Sequence, residues 1–240
     1  MTAKTSTRSR DVLGTSALRP DGVAKVTGEF SFSSDMRAEN MLWGATLRSP
    51  HPYARITSID TTKALLIAGV HAIITAEDVP GKLTYGLISS DQPVFAKDVV
   101  RYMGEPIAAV AADHPETCRR ALAAIVVEYE VMTPLVDAEL AILPTTPPIH
   151  PDGNLIRHQR IIHGDSNATA EIIVEGNYTI GMQDQAFLGL EAAMAFPDPG
   201  AQGVELHIAT QWLHEDRGQI AACLKLPEDN VRLVLGGVGG

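Results

Sequence analysis

Apolar residues along this chain come in short blocks, and the period within each block predicts an element. Leu42 to Leu47 reads as a buried strand, Arg55 to Ile59 as another, and Val70 to Thr75 as a third. Between the second and third, Asp60 is placed to cap a short helix over Thr61 to Ala68, with Leu65 and Leu66 facing inward and Gly69 ending it. The pattern then recurs. Ile107 to Ala112 is a continuous apolar run of the kind a strand covered on both faces needs. Asp113 and His114 precede Pro115 and Glu116, a helix start with proline in the first turn and an acid at the positive end of the dipole. Cys118, Ala121 and Leu122 give that helix its apolar face, and Ala124 to Tyr129 returns as a strand. Two β-α-β successions predict a compact α/β or α+β domain.

Outside this pair the patterning changes. Arg19-Pro20-Asp21-Gly22 signals a turn, and Gly28 to Phe32 alternates like a strand. From Leu135 to Ile149 the prolines Pro144, Pro147 and Pro148 predict an extended linker. Ala170 to Tyr178 alternates like a strand of a different sheet. Ala192 to Phe196 and Val204 to Ile208 flank the turn Pro197-Asp198-Pro199-Gly200. An amphipathic helix over His214 to Leu224 leads to a last strand, Val231 to Leu235. Gly236, Gly237, Gly239 and Gly240 follow it at once. Glycine tolerates positive φ and leaves backbone bare, so such a loop can aim amides at a ligand. The expected organisation is a disordered lead-in over 1–17, a first domain over 18–135, a Pro-rich linker over 136–165, and a second domain over 166–240 that is interrupted at the glycine run.

Composition narrows the function classes. The net charge of −10 argues against a nucleic-acid-binding face, which needs basic residues to neutralise phosphates. The apolar runs are too short to span a bilayer, and the polar start, Met1 to Arg10, lacks the apolar core of a secretory signal, so a cytoplasmic location is expected. Cys118 and Cys223 lie far apart with no metal or iron–sulfur spacing, and read as small buried residues on two helices. The histidines show no paired spacing for a metal, so no metal ligand is assigned. No nucleophile–base pair is tied together by a motif. Glu128 and Glu130 look structural or solvated. The glycine run lacks the lysine and hydroxyl residue of a phosphate-binding loop and does not match G-x-G-x-x-G. Two polar sites remain. The loop Gly181 to Leu188 carries Gln183, Asp184 and Gln185, able to donate amides to an oxyanion or to stand simply in solvent. In Thr210-Gln211-Trp212, Gln211 could point into a site and Trp212 reads as core.

Several segments together resemble the large, molybdopterin-binding subunit of the xanthine dehydrogenase and aldehyde oxidase family, with bacterial xanthine dehydrogenases the nearest in feel. They are Val23 to Gly28, Leu42-Trp43-Gly44-Ala45-Thr46-Leu47-Arg48-Ser49-Pro50-His51-Pro52-Tyr53-Ala54-Arg55-Ile56, Tyr102-Met103-Gly104-Glu105-Pro106 through Val110, and Val127 to Glu130. Downstream, Gln183 to Glu191 and Thr210 to Gly240 resemble the start of the family's molybdenum-cofactor domain. The resemblance implies an α+β fold, an α/β hammerhead domain followed by an incomplete α+β cofactor-binding domain. It implies a molybdenum hydroxylase, inserting oxygen from water into a purine or aldehyde. The cofactor would be molybdopterin, in its cytosine dinucleotide form, with iron–sulfur clusters and FAD on partner subunits. Position by position, Gln183 matches the glutamine that hydrogen-bonds a molybdenum oxo group, and Gly236, Gly237, Gly239 and Gly240 match the glycine loop that approaches the metal and pterin. Where many relatives carry glutamate and proline, this chain has Gly189 and Leu190, followed by Glu191; Gly189 resembles bacterial subunits assigned to xanthine.

The family's catalytic glutamate has no counterpart here, so no catalytic residue is assigned, and the chain alone is expected to be inactive. An alternative is a non-catalytic hammerhead module that serves docking or assembly of the complex. A generic nucleotide-binding fold rests only on the β-α-β successions and the glycines, and is weaker.

Overall fold

The structure is a computed structural model and describes residue 14 and residues 16–165, 168–184, 191–200 and 202–237. In chain order the elements are α1 (Gly22–Thr27), β1 (Trp43–Arg48), β2 (Ala54–Asp60), α2 (Thr62–Leu65), β3 (Val70–Thr75), β4 (Thr84–Tyr85), β5 (Gln92–Pro93) and β6 (Val99–Val100). They continue with β7 (Pro106–Ala112), α3 (Pro115–Ala124), β8 (Val126–Val131), α4 (Ala138–Ala141), β9 (Ala193–Asp198), β10 (Gly203–Ile208), α5 (Leu213–Leu224) and β11 (Val231–Leu235). The fold class is α+β. Two compact units emerge. One gathers the described residues of 1–37, 187–218 and 227–240; the other holds those of 38–186 and 219–226.

In the larger unit β7 is the central strand of a three-stranded sheet in the order β1-β7-β3, antiparallel to both neighbours. Val110 pairs with Ala45 on one side and Ile73 on the other. A second sheet runs β6-β2-β8, also antiparallel, with Ala54 opposite both Val100 and Val131. The two expected β-α-β successions therefore exist as chain order but not as parallel units. β2 and β3 lie in different sheets, and so do β7 and β8, because each short helix carries the chain from one sheet to the other. β7 is buried on both faces, as its unbroken apolar run predicts. Val110 and Ala112 join Cys118 and Ala121 of α3 in one core, while Ile107 packs with Ala54, Ala96 and Val100 in the other. A side chain of this size, fully buried, contributes about 1.5–3 kcal/mol.

Local chemistry sets the helix ends. Asp60 Oδ1 accepts from the Thr62 amide at 2.9 Å, and the Thr62 hydroxyl first, then this amide, hold its carboxyl below the usual range. α2 is shorter than expected, and its buried residue is Ala64; Leu65 and Leu66 face solvent, 49% and 82% exposed. A single turn has room for one inward position, and the smallest side chain fits it. Gly69 adopts φ +90°, and a Cβ there would run into the Asp113 carboxylate. At α3 the cap is His114, whose Nδ1 accepts from the Glu116 amide at 3.1 Å, with Pro115 following.

Three other expectations change. Gly28 to Phe32 is not a strand: Gly28 at φ 78° caps α1, and Ser33–Asp35 forms one 3-10 turn. Ala170 to Tyr178 is irregular and exposed, with Ile172, Ile173 and Val174 at 80%, 71% and 90%. The Pro-rich stretch is not uniformly extended. Asp137 caps α4, and Asn154 ties it down, accepting from the Ile149 amide and donating to the Ala141 and Pro147 carbonyls.

In the smaller unit, β9 and β10 form the hairpin predicted around Pro197 to Gly200, and β11 pairs parallel to β10, with Leu206 opposite Leu233. This is the parallel pair among the described strands. A parallel pairing needs a crossover, and α5 supplies it.

Candidate functional site

The glycine run begins where β11 ends. The Gly236 amide donates to the Ile208 carbonyl at 2.6 Å, extending the ladder by one bond beyond Leu235. Gly237 is buried. Neither glycine has positive φ. What requires glycine at these positions is proximity: a Cβ on Gly236 would collide with Ser33 Oγ, and one on Gly237 would collide with the rings of Phe30 and Phe32. Gly239 and Gly240 lie outside the described residues.

The groups around this turn come from the α1 segment. Phe30 and Phe32 meet edge to face, with centroids 4.9 Å apart and planes at 67°. The Lys25 ammonium lies 4.8 Å from the Phe30 ring centre and 5.7 Å from that of Phe32, and pairs with Asp21 at 2.9 Å. Arg19 and Lys25 hold the Asp21 carboxyl far below the usual carboxylate range. Ser33 is 5% exposed, and its hydroxyl and that of Ser34 are buried without a hydrogen-bond partner. Pattern reading misses this cluster because alternation assigns Phe30 and Phe32 to a strand. The spacing Lys25-x4-Phe30-x-Phe32 carries a usable signal, a cation five residues before the first of two aromatics.

The other predicted positions are less assembled. Gln183 is exposed on irregular backbone and has no hydrogen-bond partner among the described residues. Of its loop, Gln185 to Leu188 lie outside the described residues, as do Gly189 and Leu190; Glu191 is exposed. Thr210 has a structural task, its hydroxyl donating to Asp216 and accepting from the Trp212 amide, which starts α5. Gln211 is exposed. Trp212 is 56% exposed rather than core, because it sits just before the first turn of the helix, where the side chain has nothing to cover it.

Both cysteines are free thiols on helices. Cys118 is buried and donates to the Trp43 carbonyl, while Cys223 is half-buried, and burial pushes both thiols up. Glu128 accepts from Ser58, and Glu130 pairs with Arg55 at 3.4 Å, both at an exposed strand face. Among the described residues no group of His, Cys, Asp and Glu could hold a metal ion, and no helix is long and apolar enough to cross a membrane.

Does this arrangement suit an oxygen-rich pterin cofactor? Against Gly236 stands one buried hydroxyl without a partner, that of Ser33, while the Gly236 amide is already taken by the Ile208 carbonyl. A buried hydroxyl with no partner fits a polar ligand that accepts a hydrogen bond.

Comparison with known proteins gives the same direction. The family described as "Aldehyde oxidase and xanthine dehydrogenase, a/b hammerhead domain" matches residues 27–133, and "Molybdopterin cofactor-binding domain" matches residues 149–240. The chain is 36% identical to a probable xanthine dehydrogenase subunit of Bacillus subtilis (strain 168), over 94% of its own length and 30% of the relative's. It is 34% identical to the "Nicotinate dehydrogenase large molybdopterin subunit" of Eubacterium barkeri, over 95% of its length and 54% of the relative's. Among solved structures, quinoline 2-oxidoreductase from Pseudomonas putida 86 superposes with a TM-score of 0.82 at 28% identity, covering 95% of this chain and 30% of that one. The chain thus spans 30%, 54% and 30% of these three proteins, and as little as 16% of other relatives it matches. Two domain families of one enzyme class, met in succession along nearly the whole chain, make this protein a member of the xanthine dehydrogenase and aldehyde oxidase family.

Proposed function

We propose that this chain supplies the hammerhead domain and the first part of the cofactor-binding domain of a molybdenum hydroxylase acting on a purine or an aldehyde. The observation that carries the reading is the succession of the two domain families over residues 27–133 and 149–240. When bound, molybdopterin would supply oxidative hydroxylation, with water as the oxygen source. This chain's residues would serve it by binding. Gly236, Gly237, Gly239 and Gly240 would bring main chain against the cofactor, and Gln183 would donate its side-chain amide, neutral groups that leave the cofactor's own charge undisturbed. The cytosine dinucleotide form of the cofactor is part of the same reading. Iron–sulfur and FAD partner subunits in the cytoplasm, which would carry the electrons away, belong to the same reading.

The chain alone is expected neither to retain molybdopterin nor to oxidise xanthine or aldehydes. Metal analysis and pterin fluorescence on the purified chain check this, and stoichiometric molybdenum with turnover would overturn it. Co-purification with iron–sulfur and flavin subunits, together with molybdenum-dependent oxidation by that complex, is the outcome that supports the enzyme reading.

A second reading is favoured by one observation: the larger unit has two closed cores, while Gln183 stands in solvent. On that reading the hammerhead is a docking or assembly module. It would bind the small redox subunits with unchanged affinity when Gln183 is replaced and no cofactor is present.

A further inference from the structure

The segment ahead of β1 does more than lead into the hammerhead. We propose that Phe30, Phe32 and Ser33 are positioning residues that form a seat for the Gly236–Gly237 turn and set where its main chain lies. The inference rests on the reading of that turn as a cofactor loop only for its biological purpose; the seat itself is a statement about packing.

The seat is built from the sequence upward. α1 ends at Gly28, whose left-handed conformation turns the chain back, so that the amides of Glu29 and Phe30 both donate to the Ala24 carbonyl, at 2.9 and 3.0 Å. That return brings Phe30 and Phe32 under the Lys25 ammonium, itself anchored by Asp21. A cation over two rings that also meet edge to face leaves little freedom for either ring. Asp35 then accepts from the Phe32 amide at 3.0 Å and closes the following turn, which fixes Ser33. On the other side, the Ile208 carbonyl holds the Gly236 amide. The turn is therefore held between the end of β10 and the aromatic pair, with room for hydrogen alone at both glycine positions. The buried, unpartnered Ser33 hydroxyl against Gly236 is a cost that ordinary core packing would avoid. It is tolerated where a side chain must stand at one place.

Steric rescue in the full chain tests the seat, read as hydrogen exchange at the amides of residues 236 and 237. Gly237→Ala should speed exchange there by about tenfold or more, which corresponds to about 1.4 kcal/mol. Adding Phe30→Leu, which removes the ring atoms the new methyl meets, should bring the rate back toward that of the natural chain. Gly236→Ala with Ser33→Ala forms a second cycle of the same kind. Effects that simply add in both cycles would overturn the proposal, since residues not in contact behave additively. Should Gly237→Ala fail to fold, Phe30→Leu alone should speed exchange at 236 and 237 and leave Val110 unchanged. No local change would count against the seat. These readouts need no cofactor: absence of molybdopterin from the assembled complex would refute the functional reading and leave the seat standing.

Discussion

β7 and the segment Ala170 to Tyr178 are comparable stretches of sequence with opposite fates. Both are rich in isoleucine, valine and alanine, and both have the pattern of a strand. β7 lies between β1 and β3, with α3 over one face, and Ile107, Ala108, Val110 and Ala112 are each at most 1% exposed. In the other segment Ile172, Ile173 and Val174 face solvent, and no strand among the described residues pairs with it. The difference teaches that apolar alternation specifies a face to be covered but not the partner that covers it. A strand is a property of a pair, because its amides and carbonyls are satisfied only across a ladder.

The largest expected effect sets these two segments against each other. Ile107→Ala should lower stability to denaturant by about 2–5 kcal/mol, through lost burial and the cavity left behind. Ile173→Ala, at 71% exposure, should stay within about 0.5 kcal/mol. Urea titration of both variants decides it, and equal losses would mean that Ile173 is buried in solution.

An intermediate effect concerns the turn that delivers the chain to β3, the neighbour of β7. Gly69→Ala forces a side chain into left-handed backbone and against Asp113, whose amide is bonded to the Gly69 carbonyl. A loss of about 1–3 kcal/mol is expected, seen as a lower thermal midpoint, and Gly164→Ala, with positive φ but open space around it, should cost less.

The smallest effect lies on the solvent side of α3. The Arg119 side chain, bonded to Glu116, holds that carboxyl below its ordinary value. A folded value below the unfolded one gives stability that is present above the unfolded value and lost as pH falls through the folded one. Glu116→Gln should therefore melt slightly below the natural chain at pH 7, and the two curves should converge as pH drops below about 4. A gap that widened in acid would reverse the assignment. Because both partners are exposed, the gap should also shrink in high salt.

Much of the local structure is legible because it is decided by residues close in sequence. Asp60, His114 and Asp198 each accept from an amide two positions on, at Thr62, Glu116 and Gly200, so the helix starts and the turn can be read from order alone. The departures share one cause. Leu65, Leu66 and Trp212 have the pattern of inward residues, yet burial depends on what stands opposite, which a helical period does not reveal. The same holds for the candidate site. Gly236 and Gly237 are visible as a bare-backbone run that suggests conformational freedom, but what demands glycine there is crowding by Ser33, Phe30 and Phe32, some two hundred residues earlier. Gln183 stands out for its chemistry, and nothing in its own loop says whether it meets a partner.

By itself, then, the order of residues determined where most strands, helices and turns form, which strand needs cover on both faces, and which family the motifs resemble. Those features rest on short-range hydrogen bonding, chirality and the period of apolar residues, all written within a few positions of one another. Only tertiary structure decided that the strands on either side of α2 and α3 belong to different sheets, that the parallel pair is β10 with β11, and that an aromatic pair from the start of the chain seats a glycine turn near its end. Such outcomes depend on which distant surfaces meet, and that is settled by how the whole chain excludes water and fills space.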